Sequence, residues 1–136
     1  MTTVAVSGHF IYLHVGHIRL IQAAKELGDK LVVIVSNDEQ QKMKKGKIIV
    51  PAKDRMEIVK AIKGVDEVVL AIDEDTTCCR TLEKVKPDIF ANGGDRNQGE
   101  VPEAKVCKKY NIKMVDDVGG GKADSSSRII EELKKV

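Results

Sequence analysis

The amino-acid sequence predicts an α/β protein: a doubly wound, Rossmann-like sheet of five parallel strands with helices on both faces, in a single domain. Short apolar runs alternate with helix-like segments along all 136 residues, which is the pattern of successive strand–helix–strand units. Hydrophobic residues make up 42% of the chain but aromatic residues only 3%. The core must therefore consist of Val, Ile, Leu and Ala, as in a parallel sheet covered on both faces.

Five apolar runs have the length of strands, and one of them is continuous enough to be central and buried. The predicted strands are residues 4–6, 31–35, 67–71, 89–91 and 112–115. The predicted helices are residues 16–27, 54–63, 77–86 and 102–109, with a last helix after residues 125–127. Gly28 and Gly64 are typical of the position after a helix end, and Pro87 ends the third helix. The lysine-rich segment 40–47 is predicted to be a loop.

The most distinctive segment follows the first strand and reads Ser-Gly-His-Phe-Ile-Tyr-Leu-His-Val-Gly-His from Ser7 to His17. It leads directly into the first predicted helix. A helix N-terminus offers unpaired backbone N–H groups and a partial positive charge, and it therefore favours phosphate. His14 and His17 supply further hydrogen-bond donors at that position. The segment predicts chemistry at a phosphorus atom.

The polar loops of the chain are predicted to meet in one crevice. In doubly wound sheets, ligands lie beyond the carboxyl ends of the strands, where the strand order changes direction. The segments that follow the first, second, fourth and fifth strands are rich in Gly, Lys and Ser. In that order they contain His14 with His17, the lysines of 42–47, Asn92 to Asp95, and Gly119 to Arg128.

Composition and charge argue against several other classes of protein. The formal net charge is +2, from 23 basic and 21 acidic residues, whereas a dedicated nucleic-acid-binding domain is strongly basic. No apolar run approaches the ~20 residues that span a membrane, and the chain starts with a strand rather than a signal peptide. Cys78, Cys79 and Cys107 have neither the spacing of a zinc site nor the even number of a disulfide framework. We therefore expect a cytoplasmic protein without a metal site of its own, whose cysteines pack in the interior.

Two motifs resemble those of a known family. The Gly-x-Phe of residues 8–10, followed by His-x-Gly-His at 14–17, resembles the first signature of the HxGH nucleotidyltransferase superfamily, in its cytidylyltransferase-like branch. The Ser-Ser-Ser-Arg of residues 125–128 resembles the second signature. The first half is most similar to glycerol-3-phosphate cytidylyltransferases and the second to heptose-phosphate adenylyltransferases, and archaeal FAD synthases share the framework. The matching positions are residues 27–29, 36–39, 55 and 65–68 in the first half, and 74–76, 86–88 and 93–95 in the second.

The resemblance implies an enzyme that transfers a nucleoside monophosphate from a nucleoside triphosphate to a small phosphorylated acceptor and releases pyrophosphate. CTP is slightly favoured as the donor, with glycerol-3-phosphate or a sugar phosphate as the acceptor. The alternatives are an adenylyltransferase that uses ATP, with heptose phosphate or FMN as acceptor, and a nucleotide-binding sensor without turnover. Mg²⁺ is expected to enter with the triphosphate, held mostly by phosphate and water oxygens. The resemblance also implies a homodimer.

The resemblance assigns roles to individual residues. The expected catalytic residues are His14, His17, Lys44, Ser126 and Arg128. The expected nucleotide-binding residues are Gly8, His9, Phe10, Gly16, Lys45, Gly94, Asp95, Ser125 and Ser127. One of the two lysines is expected to close over the triphosphate as a mobile cationic lid.

Three further positions qualify this assignment. Arg55 and Lys63 are expected to hold the acceptor phosphate or the pyrophosphate, although a lysine keeps only the charge and not the bidentate fork of an arginine. The family usually has Asp directly after the Phe of Gly-x-Phe, and this chain has Ile11. An acidic group near the reaction centre is therefore missing. Either His9 or a water molecule compensates, or the substrate differs, or activity is reduced.

Overall fold

Five strands and five helices form the part of the chain that the computed structural model describes, residues 1–93, 102–116 and 118–119. The strands are β1 (Thr3–Gly8), β2 (Lys30–Val35), β3 (Glu67–Leu70), β4 (Ile89–Ala91) and β5 (Lys113–Val115). The helices are α1 (Val15–Lys25), α2 (Asp38–Lys45), α3 (Ala52–Lys60), α4 (Cys79–Val85) and α5 (Glu103–Lys109). All strand pairs are parallel, and the order in the sheet is β3-β2-β1-β4-β5. The predicted fold class is confirmed.

Each face of the sheet has its own apolar core, because successive side chains of a strand point to opposite faces. Val4 and Val6 of β1 belong to one core, together with residues of α1 and α3. Ala5, which lies between them, belongs to the other core with Leu82 of α4 and Cys107 of α5. The helices therefore cover both faces, as the sequence predicted.

The lysine-rich segment 40–47 is helical over most of its length, so the prediction of a loop was wrong. The side chain of Asn37 caps α2 by accepting a hydrogen bond from the N–H of Gln40 at 2.8 Å, and the helix ends at Gly46, whose φ is 82°. Gln40 and Gln41 are buried. Their amides hydrogen-bond to the backbone after β3 and before α3. This helix is held in place by polar side chains rather than by an apolar stripe. A search for apolar periodicity in the sequence therefore does not detect it.

The direction of the strand order changes at β1, which pairs with β2 on one side and with β4 on the other. The chain segments that leave the carboxyl ends of β1 and β4 therefore diverge, and a crevice opens between them, as is general for this class of sheet.

Among the helices of the described ranges, none is both long and apolar enough to cross a membrane.

Candidate active site

A crevice of about 470 Å³ lies at the carboxyl ends of the central strands. This volume falls in the range of about 300–1,000 Å³ that is usual for small-molecule sites. Five residues that the sequence predicts for the site line it: Gly8, His9, Phe10, His17 and Lys44. The crevice is therefore the candidate active site.

The backbone from Gly8 to Phe10 turns sharply to place His9 in the crevice. Phe10 has a φ of 52°, a left-handed conformation that costs a non-glycine residue about 1 kcal/mol or more. Its ring is buried and folds back against Gly8, where a Cβ atom would lie 2.9 Å from Cζ of the ring. The same ring meets His17 edge-on, with centroids 5.3 Å apart. Glycine at position 8 is thus required by the packing of the aromatic ring.

His14 and His17 lock each other at the start of α1. The backbone N–H of Gly16 donates to Nδ1 of His14 at 3.1 Å, and the backbone N–H of His14 donates to Nδ1 of His17 at 3.2 Å. An amide N–H can only donate, so both Nδ1 atoms accept and the proton of each neutral ring lies on Nε2. The ring centroids are 4.0 Å apart. The two imidazoles are therefore a pair of Nε2–H donors at a helix N-terminus, although of the two only His17 is part of the crevice lining.

His9 is held by a polar contact with the residue that follows β2. Its Nδ1 lies 2.7 Å from the hydroxyl oxygen of Ser36 at the end of β2. Burial lowers the pKa of His9 to about 4, and the positive charges of Lys44, Arg55 and Lys45 act in the same direction. The imidazole is therefore neutral at physiological pH.

Arg55 is completely buried, and its guanidinium binds other parts of the protein. It donates to the carbonyl oxygens of Val50 and His9, both at 2.8 Å, and to the hydroxyl of Ser36 at 2.9 Å. Its other terminal nitrogen lies 3.2 Å from a carboxylate oxygen of Asp38. Burial lowers the pKa of Arg55, and the hydrogen bond and charge of Asp38 raise it. These contacts give Arg55 a structural position behind the crevice; its predicted contact with acceptor phosphate or pyrophosphate stays a prediction.

The three predicted lysines differ in their positions relative to the crevice. Lys44 lines the crevice from the last turn of α2, and the charge of Lys45 acts on His9 from the same turn. Lys63 is exposed in the turn between α3 and β3. That turn precedes β3 and so lies at the amino ends of the strands, opposite the crevice. The structure therefore does not bring Lys63 to the site.

The segments after β4 and β5 lie side by side next to α1. The backbone N–H of Val118 donates to the carbonyl of Asn92 at 3.0 Å. A Cβ atom at Gly119 would lie 3.0 Å from the backbone nitrogen of Leu20 in α1, so this close approach needs glycine. The remaining predicted site residues, which are Gly94, Asp95, Ser125, Ser126, Ser127 and Arg128, lie outside the described residues, as does the predicted last helix.

The segment after β3 also lines the crevice, and the sequence analysis missed it. Thr76, Thr77 and Cys78 belong to the lining, together with Asn92 and Glu103. Glu103 is 2% exposed, and its Oε2 accepts a hydrogen bond from the backbone N–H of Cys78 at 3.0 Å. Burial, and then the neighbouring Glu103, raise the pKa of the Cys78 thiol, so this cysteine is a packing residue rather than a nucleophile. A glutamate directly after a proline indicates only the start of a helix. No sequence signal therefore indicates that Glu103 lies in the crevice wall.

Comparison with known proteins places this geometry in a family. The sequence profile of the family described as cytidylyltransferase-like matches residues 5–132, nearly the whole chain. The chain belongs to the cytidylyltransferase-like family. It is a nucleotidyltransferase-type enzyme by its relatives, and the resemblance inferred from the two motifs is confirmed.

Several relatives of this cytidylyltransferase-like chain have informative names. The FAD synthase of Methanothermus fervidus is 37% identical over 137 residues, which cover 96% of this chain and 93% of that protein. The FAD synthase of Pyrococcus abyssi is 46% identical over 95 residues, and the match covers 69% of this chain and 64% of the relative, slightly less than two thirds of its length. The bifunctional protein HldE of Streptomyces coelicolor is 40% identical over 116 residues, covering 84% of this chain and 25% of that protein.

One solved structure supports the same fold assignment. The structure of a lipopolysaccharide core biosynthesis protein from Thermoplasma volcanium superimposes with a TM-score of 0.74 at 34% sequence identity, and the match covers 91% of this chain and 99% of that chain. The slight preference for CTP that the sequence suggested finds no support among these relatives.

Proposed function

We propose that this chain is an adenylyltransferase that joins AMP from ATP to the phosphate of FMN, producing FAD and pyrophosphate. The observation that carries nucleotidyl transfer is the fixed pair of Nε2–H donors, His14 and His17, at the N-terminus of α1 beside a crevice that also contains Lys44. The choice of ATP and FMN is supported by the relatives named FAD synthase, one of which is matched over nearly its whole length.

The reaction needs alignment and charge stabilisation more than proton transfer. An oxygen of the FMN phosphate attacks the α-phosphorus of ATP and forms the new P–O bond. The bond from that phosphorus to the oxygen bridging to the β-phosphate breaks, and pyrophosphate leaves with the electron pair. The attacking phosphate is already ionised, because the second pKa of such a group is about 6. The protein therefore has to hold two anions in line and offset their charge.

The residues of the crevice suit that task. His14 and His17 would donate their Nε2–H groups to oxygens of the α- and β-phosphates as negative charge develops there. Removing one such donor typically costs about 10²–10³ in rate. Lys44 would offset the charge of the triphosphate from the last turn of α2. Because α2 is fixed by its buried glutamines, we expect the lysine side chain, rather than the whole segment, to move towards the nucleotide.

Mg²⁺ would enter with ATP rather than bind a site formed by side chains. Within the described ranges, no group of three His, Cys, Asp or Glu side chains is placed to hold a metal ion. Mg²⁺ keeps several water ligands and is commonly held by substrate phosphates with one or two carboxylates at most. The ion would supply charge neutralisation on the triphosphate.

A second candidate substrate is favoured by specific relatives. The match to HldE and the structural match to the lipopolysaccharide core biosynthesis protein support a heptose phosphate as the acceptor, again with ATP.

The position of Ile11 separately favours a sensor that binds nucleotide without turnover, since the family's usual acidic residue is absent there.

One experiment separates these functions. The purified protein is incubated with Mg²⁺ and either ATP or CTP, each with FMN, heptose 1-phosphate or glycerol-3-phosphate. Pyrophosphate release and the nucleotide product are both measured, and His17→Ala is the control. If FAD forms from ATP and FMN and no other mixture releases pyrophosphate, the result supports the proposal. Release only with heptose phosphate supports the second candidate, and release only with CTP overturns the choice of ATP. Nucleotide binding without release in any mixture identifies a sensor, and recovery of release in Ile11→Asp would locate the cause.

A further inference from the structure

A chain of three side chains links the interior of the protein to the crevice. Arg55 lies behind the wall and is completely buried, Ser36 is 8% exposed, and His9 lines the crevice. Nη1 of Arg55 is 2.9 Å from the hydroxyl oxygen of Ser36, which is 2.7 Å from Nδ1 of His9. The same Nη1 donates to the backbone carbonyl of His9 at 2.8 Å. The guanidinium thus holds both the backbone of His9 and the residue that contacts its ring.

The direction of these hydrogen bonds follows from the chemistry of the groups. A guanidinium has only donors, so Ser36 accepts from Arg55. The hydroxyl then has one proton to donate, and in the described part of the chain the acceptor placed to receive it is Nδ1 of His9. A neutral imidazole that accepts at Nδ1 has its proton on Nε2. No hydrogen bond to Nε2 of His9 is present within the described residues.

We propose that Arg55 and Ser36 are positioning residues that hold His9 as a neutral Nε2–H donor to a substrate phosphate in the crevice. His9 would then join His14 and His17, so that all three histidines of the chain present the same tautomer. The difference is in how the tautomer is fixed. Backbone N–H groups fix the rings of His14 and His17, whereas a side-chain hydroxyl directed by a buried arginine fixes the ring of His9. The phosphate contact rests on the proposed function, but the tautomer does not.

The charges around His9 agree with a neutral ring. Lys44 and Lys45 face it from α2 and Arg55 from α3, while His17 of α1 and Glu103 of α5 line the same crevice. Three cations disfavour a fourth, so the ring stays uncharged and contributes a directional hydrogen bond rather than a charge. The lysines attract the phosphate, and the imidazole fixes its orientation.

The tautomer is tested by two-bond ¹H–¹⁵N NMR correlation of the imidazole rings in the protein without ligand. The chain has three histidines, so His14 and His17 serve as internal references whose rings are fixed by the backbone. The expected spectrum shows an unprotonated Nδ1 and a protonated Nε2 for His9. In Ser36→Ala, the His9 resonances should move towards a mixture of tautomers, and Ser36→Thr, which keeps a hydroxyl, should restore them. A protonated Nδ1 in the wild type, or a His9 spectrum that Ser36→Ala leaves unchanged, overturns the relay.

The phosphate contact is tested separately with two probes, ATP with Mg²⁺ and FMN. Binding of at least one probe should shift the Nε2–H resonance of His9, and His9→Gln, which keeps a neutral N–H donor, should retain more activity than His9→Ala. We expect a loss of about 10²-fold for His9→Ala. If His9 has the expected tautomer but neither probe shifts its Nε2–H resonance, the phosphate contact is overturned. A shift with ATP in a wild-type protein that makes no FAD supports the contact and counts against the proposed acceptor alone.

Discussion

The backbone N–H of His14 donates a hydrogen bond to Nδ1 of His17 at 3.2 Å, while Nδ1 of His14 accepts one from the N–H of Gly16 at 3.1 Å. Under the proposed function the pair therefore has two roles at one helix end. Each Nδ1 stabilises the first turn of α1, and under the proposed function each Nε2–H donates to a phosphate oxygen. An alanine at either position would remove both contributions together, so a variant is needed that separates them.

His14→Asn provides that separation. The oxygen of the asparagine amide can replace Nδ1 as the helix cap, since Asn is among the best capping residues, but no group replaces Nε2–H. We expect the rate of pyrophosphate release to fall by about 10²–10³ with a melting temperature close to that of the wild type. His14→Ala should lose a similar rate and also about 1 kcal/mol of stability. A fully active His14→Asn would remove His14 from the reaction.

Lys44→Met tests whether the crevice lysine binds the triphosphate. Both lysines are exposed, but Lys44 lines the crevice from α2, whereas Lys42 of the same helix is outside the lining and lies 3.8 Å from Glu39, an exposed i,i+3 pair. Such exposed pairs contribute little to stability, so Lys42→Met is a control that removes the same charge. We expect Lys44→Met to raise the KM for ATP about tenfold, equivalent to about 1.4 kcal/mol, and Lys42→Met to leave it near the wild-type value. Equal effects would mean that only the net charge of the helix matters.

The sequence predicted the sheet better than it predicted the walls of the crevice. Apolar runs and the alternation of strands with helices are properties of a local pattern, and they define β1 to β5 and four of the five helices. α2 escaped prediction because Gln40 and Gln41 fill the positions that an apolar pattern would need. The order of the strands also decides which loops meet, and that order is fixed by contacts far apart in the chain.

The residues of the candidate site also divide into those that a local sequence pattern predicts and those that it does not. His9, His17 and Lys44 were predicted because they lie in or beside motifs at strand ends, and they do line the crevice. Glu103 and Thr77 were missed because contacts between distant parts of the chain, not a sequence pattern, bring them there. Arg55 was expected to contact a ligand, yet the structure surrounds its guanidinium with protein acceptors. A charged residue on a helix gives no sequence signal of complete burial.

Arg55→Leu should be strongly destabilising, because the guanidinium is buried and its hydrogen bonds reach four residues. The substitution leaves the carbonyls of His9 and Val50 without their donor, and each buried acceptor left unsatisfied costs about 1–3 kcal/mol. Arg80, which is exposed on α4, provides the control: Arg80→Leu should change the free energy of unfolding by less than about 0.5 kcal/mol. Urea unfolding measures both. If Arg55→Leu unfolds like the wild type and only its KM changes, the contact with acceptor or pyrophosphate is favoured over the structural role.

His9 also predicts a pH dependence of stability with a definite sign. The pKa of His9 is lowered to about 4 in the folded protein, against about 6.5 in the unfolded chain. Between these values the unfolded chain binds a proton that the folded protein does not, so the free energy of unfolding rises with pH there. The contribution of His9 is complete above about pH 6.5, decreases as the pH falls towards about 4, and is constant below that.

His9→Gln isolates this effect from the other titrating groups. The variant keeps a neutral side chain of similar reach but cannot bind a proton in this range. Its free energy of unfolding is measured by urea denaturation at several pH values from about 7 to about 4, beside the wild type. We expect the advantage of the wild type over the variant to shrink steadily as the pH falls through this window, because all other carboxylates and histidines are common to both proteins. A difference that stays constant with pH would mean that the ring of His9 titrates alike in the folded and unfolded chains, and the buried, hydroxyl-bonded imidazole described above would then be wrong.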